Sequence, residues 1–256
     1  TSRVRASAAR GKSGEWLLDP VDITIDGSTG NSIYSPTSAS SIVSASSIVS
    51  SLNAGTSVTI TTSNGSGGSG DITVSSAIAR GTANSAATLT LTADRNITID
   101  ALVSCSVCSL NKTLAVVLNA PNGAISFGSN GSISTTGFVS ATLNSGSSFT
   151  LSTTSISGTG QITKSGAGTL TLPALSSYTG QINVNAGKLI LSGNLSPSNL
   201  QILSGATMEI GATVTPGGTV NVLSGATLLI SGSGNLSGGS NSKGFTLNGI
   251  FEYASS

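Results

Sequence analysis

The chain has 256 residues, with 10 Lys and Arg against 9 Asp and Glu, 7% charged residues, no His and two Cys. Near-neutral, scattered charge leaves no electrostatic footprint for nucleic acid or an anionic membrane, and the absence of His removes every Ser-His-Asp, Cys-His and His-metal arrangement. With 50 Ser, 32 Thr and 33 Gly the chain could be disordered, but 37% of residues are hydrophobic and come as evenly spaced aliphatic pairs, which points to a strand-rich core.

From its first residues the chain lacks the charged, apolar and small-residue zones of a signal peptide, so a mature or excised segment of a larger protein is expected. No apolar run approaches the roughly 18 residues of a membrane helix, and five Phe, three Tyr and one Trp cannot furnish the two aromatic girdles of a membrane barrel. Asp19, Asp22 and Asp26, with Glu15 nearby, are the densest acidic group. Calcium needs about six oxygen ligands, whereas Asp19-Pro20 and Asp26-Gly27 are good turn formers; turn chemistry is the reading. Over 38–53, Ile42, Ala45, Val49 and Leu52 fall at helical spacing and Asn53-Ala54-Gly55 reads as a stop, so a short amphipathic helix is expected on the side of the fold. The Gly65–Gly70 stretch reads as a loop excursion. Strand-like segments follow at Val58–Ile60, Ile72–Val74, Leu89–Leu91, Ile97–Ile99, Leu114–Leu118, Ile125–Phe127 and Phe149–Leu151, punctuated by Asn122-Gly123 and Asn130-Gly131 corners.

Beyond residue 160 the pattern becomes a repeat. Leu203-Ser-Gly-Ala-Thr-Met-Glu-Ile210 and Leu223-Ser-Gly-Ala-Thr-Leu-Leu-Ile230 share five consecutive identical residues in the same order. The pairs Leu170/Leu172, Leu189/Leu191, Met208/Ile210 and Leu228/Ile230 recur about every 20 residues, a solenoid-like period. A second set, Ile182/Val184, Leu200/Ile202 and Val220/Val222, interleaves with them. An i, i+2 pair puts both side chains on one face of a strand. Such a period, with very short strands and Gly, Asn and Ser corners, fits one coil of a parallel β-helix, whose stacked coils bury an aliphatic column that no single coil forms alone. The leucine-rich consensus is missing. The expectation is an all-β parallel β-helix of some 12 coils, with irregular opening coils over 1–84 and a continuous β-helix over 85–256 in one structural unit.

Cys105 and Cys108 are the only cysteines. Two thiols without His cannot complete a zinc site of about four ligands, and the βαβ setting of a thioredoxin-like pair is absent. In an exported protein the plain reading of the pair is a local disulfide between Cys105 and Cys108, with free thiols as the alternative, and no catalytic residue, metal or cofactor is expected. Glu209 reads as a lone outward acid between Ile190 and Leu229, which is no general acid/base pair. Thr-x-Thr segments raise the idea of an ice-matching ladder, but after Thr171 the outward positions are Ile190, Glu209 and Leu229, and the ladder breaks. Six Asn-x-Ser/Thr sequons (Asn64, Asn96, Asn111, Asn130, Asn194, Asn235) are no more than this composition gives by chance.

Two stretches carry a resemblance. Gly11-Lys-Ser-Gly-Glu-Trp-Leu-Leu-Asp-Pro-Val-Asp-Ile-Thr-Ile25 resembles a segment of filamentous-haemagglutinin-like exoproteins, Gram-negative surface proteins exported by two-partner secretion. Ile162-Thr-Lys-Ser-Gly-Ala-Gly-Thr-Leu-Thr-Leu172, followed by Tyr178–Leu191, resembles the passenger-associated repeat of autotransporters. The resemblance implies a right-handed β-helix outside the cell, often adhesive. The function expected is therefore a non-enzymatic structural module of a cell-surface adhesin, with a receptor or glycan on a host or neighbouring cell as partner. Neither nucleic acid nor membrane insertion is expected. The alternatives are a filament subunit that self-associates through open β-helix ends, and a carbohydrate-active β-helix enzyme with catalytic residues upstream.

Overall fold

Alternating short aliphatic pairs and polar corners close this chain into stacked coils in the computed structural model, which describes residues 15–18, 21–28, 40–62, 68–175, 177–238 and 244–254. Every strand pairing among these residues is parallel. One side of the solenoid is a ten-stranded sheet in which each strand stacks on its counterpart one coil away, from Glu15–Leu18 through Leu114–Ala120 to Gly244–Leu247. A second side is a five-stranded sheet (from Ser41–Ser44 to Ile125–Phe127) and then a six-stranded sheet (from Phe149–Thr150 to Ile250–Ala254). The third side is a four-stranded sheet from Ile78–Arg80 to Ile156–Ser157. It thins in the later coils to the bridges Gly158–Tyr178 and Leu195–Val214 and one short strand pair.

Inward residues make two unbroken columns beneath the ten-stranded sheet and its six-stranded neighbour. Under the first, Val58, Leu89, Val116, Ala141, Ile162, Ile182, Leu200 and Val220 are register mates, and all are buried. Under the second, the repeat pairs stack as their spacing predicts: Leu170 on Leu189, Met208 and Leu228, and Leu172 on Leu191, Ile210 and Ile230. Val58 pairs with Leu89 in this same ladder.

Two sequence expectations need correction. Among the described residues the longest sheet has ten strands rather than the 12 coils expected, and its nine steps of about 4.8 Å span roughly 43 Å. The reason is coil length. The register mate of Val58 is as distant in sequence as Leu89, and that of Val116 is Ala141. The spacing matches that of the repeats across Ile162, Ile182, Leu200 and Val220, and lengthens again at the last step, where Val220 meets Phe245. The early coils carry a strand on the third side and need more chain. The second correction concerns helix α1, which spans Ala45–Asn53; residues 41–44, expected to be helical, form a strand on Ile23–Asp26. Val43 is a buried residue of that strand, and Ala45, Ile48 and Leu52 are the buried face of the helix. α1 packs chiefly on Ile78–Arg80, covering the end of the third side's ladder, with the Asn53 carbonyl accepting from the Asn84 N–H at 3.3 Å. Its stop is as read: Gly55 sits at φ +83°, a region open to Gly.

Candidate functional site

Asn and Asp residues placed just before strands bind coil to coil. Asp22 Oδ1 accepts the Asp71 N–H at 2.9 Å, Asp71 Oδ1 the Asn96 N–H at 3.0 Å, and Asn96 Oδ1 the Ala124 N–H at 3.0 Å. Asn199 Oδ1 likewise accepts from the Thr219 N–H at 2.8 Å and Asn194 Oδ1 from the Thr213 N–H at 3.1 Å. Each side chain extends the ladder one step past the strand end, satisfying a donor at a corner. Asp22 is thus spent on backbone donors, and Asp26 accepts from the Ser28 N–H and Oγ, as the turn reading expects. Asp19 lies outside the described residues. Among those described, no group of three or more Cys, His, Asp or Glu is placed to hold a metal ion. Asp71 also pairs with Arg95, whose guanidinium bonds hold its carboxyl below the usual range.

The Cys105–Cys108 disulfide closes a tight loop at the end of Leu102–Cys105, with Cα atoms 5.6 Å apart. Cys105 is the register mate of Arg80. Gly137, at φ +69°, packs under the loop where a Cβ would lie 3.5 Å from the carbonyls of Cys105 and Cys108.

Glu209 is outward between Ile190 and Leu229, as expected, yet it is not alone. Its Oε2 meets Lys188 Nζ at 2.6 Å, and its Oε1 accepts from Ser231 Oγ at 2.6 Å. The Lys188 hydrogen bond, then that of Ser231, lowers its pKa from the ordinary carboxylate value. These contacts tie three successive coils together. The ladder after Thr171 breaks as predicted, while a longer threonine column lies on the ten-stranded sheet: Thr59, Thr90, Thr142 and Thr163, interrupted by Val117 and followed by Asn183 and Gln201.

Three buried polar side chains escaped the sequence reading. Lys164 sits inside the aliphatic column between Leu143 and Val184. Its Nζ donates to the carbonyls of Ser165, Gly166 and Ala186 at 2.6, 2.8 and 3.2 Å, and burial lowers its pKa to about 8. Tyr178 is buried at the next corner; its hydroxyl accepts the Ile162 N–H at 3.2 Å and reaches the Gln181 carbonyl at 2.6 Å, and burial raises its pKa. Arg80 points inward, its two terminal nitrogens donating to the carbonyls of Thr113 and Ser85 while Nε has no partner among the described residues. Period-two parity held the signal: Lys164 follows Ile162, and Arg80 follows Ile78, at alternate positions of a strand.

Two of the clefts on the described surface border buried residues of the ladder. One, about 600 Å³, lies at the last coil among Val220, Leu236, Phe245, Phe251 and Tyr253. The other, about 340 Å³, lies on the third side beside Tyr178 and Leu195.

Residues 162–194, which contain Lys164 and Tyr178, match the family described as passenger-associated-transport-repeat. No curated protein and no solved structure matches the chain significantly. With this repeat built into a parallel β-solenoid, the chain is similar in that stretch to autotransporter passenger β-helices.

Proposed function

We propose that the chain is a non-catalytic structural module of a cell-surface adhesin of a Gram-negative bacterium, holding a binding surface away from the cell. The observation that carries this reading is the passenger repeat set within one continuous ladder. Its carboxylates support it: Asp22, Asp71 and Glu209 are engaged in corner and coil-to-coil contacts. Beads coated with the protein are expected to adhere to cultured cells above uncoated beads. Equal retention of both would overturn the adhesive reading, and release of reducing sugar from polysaccharide would favour a carbohydrate-active enzyme instead.

A further inference from the structure

The cleft of about 340 Å³ has a structural origin in the passenger repeat. On the third side, Gly158 bridges to Tyr178 and Leu195 bridges to Val214, but among the described residues no backbone pair joins Tyr178 to Leu195. The coil between them is the shortest of the ladder: Ile182 meets Leu200, whereas Ile162 meets Ile182 and Leu200 meets Val220 across longer stretches. These two coils are joined instead three residues on, where the Ser198 N–H donates to the Thr179 carbonyl at 2.9 Å and the Gly180 carbonyl at 3.1 Å, and the cleft lies beside that junction. The floor is apolar, formed by buried Leu175, Leu195 and the Tyr178 ring, whose hydroxyl is already engaged with Ile162, Gly160 and Gln181. The rim is polar and uncharged. Asn194 lines the cleft with its Oδ1 accepting the Thr213 N–H, and the exposed hydroxyls of Thr179, Ser196 and Thr213 have no partner among the described residues.

We propose that this cleft is a binding subsite for a neutral saccharide. The inference rests on the adhesive reading and names its ligand class. No charged side chain lines the cleft to recognise a phosphate or carboxylate. An apolar floor with a ring of hydroxyl and amide groups matches a sugar, which offers a C–H face and a rim of hydroxyls. The volume lies at the low end of the ~300–1,000 Å³ typical of small-ligand sites and accommodates about one or two sugar rings.

The test uses the whole chain and an array of uncharged hexose- and N-acetylhexosamine-terminated oligosaccharides, with saturation-transfer NMR on any that bind. Thr179→Trp and Ser196→Trp fill the cleft from its exposed rim, and Thr142→Trp on the ten-stranded sheet is the control. The expected result is binding by the native chain and the control, with at least about tenfold weakening in both cleft variants. Amide shifts at Thr179, Asn194 and Thr213 of the native chain on adding the sugar give the same answer without a variant; unmoved amides there overturn the proposal. Undiminished binding in both folded cleft variants overturns the subsite while leaving the adhesive module intact. Absence of binding to any neutral oligosaccharide also overturns it, and the bead assay then decides the adhesive reading separately.

Discussion

A lysine in an aliphatic column makes the passenger repeat respond to pH in an unusual direction. Lys164 has an unfolded-state pKa of 10.5 and, through burial, a folded-state pKa of about 8. Between these values the unfolded chain holds a proton that the folded chain has lost, so stability rises with pH, at no more than about 1.4 kcal/mol per unit. Tyr178 opposes this at higher pH. Burial raises its pKa above the 10.0 of the free phenol, so the unfolded state ionises first and stability falls above pH 10. Melting temperatures measured from pH 7 to 11 are therefore expected to climb from about pH 8, pass a maximum near 10 and fall. In Lys164→Met the climb disappears, and in Tyr178→Phe the fall is blunted; a native profile flat across this range would contradict the assignment. At corners, Asn199→Ala removes the acceptor for both the Thr219 N–H and Oγ1 and is expected to cost about 1 kcal/mol, read from urea midpoints. Asn221→Ala, on the outward face of a strand, is expected to stay within about 0.5 kcal/mol.

Single strands here are too short to stand alone, and each is stabilised through its register mates. Leu228 is buried between Met208 and Phe251, whereas its neighbour Thr227 is half-buried on the opposite face. Leu228→Asp places a charge in the column and is expected to cost several kcal/mol unless the carboxyl protonates. Thr227→Asp is expected to cost about 0.5 kcal/mol or less. Because coils couple mainly to their neighbours, hydrogen exchange is expected to show lost protection over residues 200–250 in the first variant only; equal protection in both would mean the register is wrong. The Cys105–Cys108 loop is local, so its chain-entropy stabilisation is at the low end of ~2–4 kcal/mol. Protein purified without reductant is expected to show no alkylatable thiol by mass spectrometry, and two labelled thiols would contradict the bond. Helix α1 marks the limit of pattern reading at this scale. Ile42 completed a helical spacing, but the preceding strand Ile23–Asp26 offered residues 41–44 a ladder, and tertiary pairing outweighed local periodicity.

Across the whole molecule, the parts of the fold repeated at fixed spacing were legible in the sequence. Leu170, Leu189, Met208 and Leu228 announce their own register because similar corners keep the period nearly constant. The third side was not legible, since its later pairing reduces to strands of two residues and single bridges, with no periodic signal. The saccharide cleft lies in that side, and only the missing bridge reveals it. The coil count failed for a related reason: the period of the later repeats was carried into early coils as long as the one from Val58 to Leu89. Lys164 and Arg80 were passed over because charge argues for exposure, while strand parity placed both inside.

The central claim is that the ten-stranded sheet stacks in one direction, one step per coil. Spin labels on outward cysteine variants of Thr59 paired with Asn183, Gln201 or Asn221 measure this directly, by double electron–electron resonance on the otherwise native chain. These positions lie five, six and seven register steps from Thr59. The solenoid predicts distances of roughly 24, 29 and 34 Å, rising by about 4.8 Å per step. Distances that fail to rise with step number, as hairpins or two packed sheets would give, would contradict it.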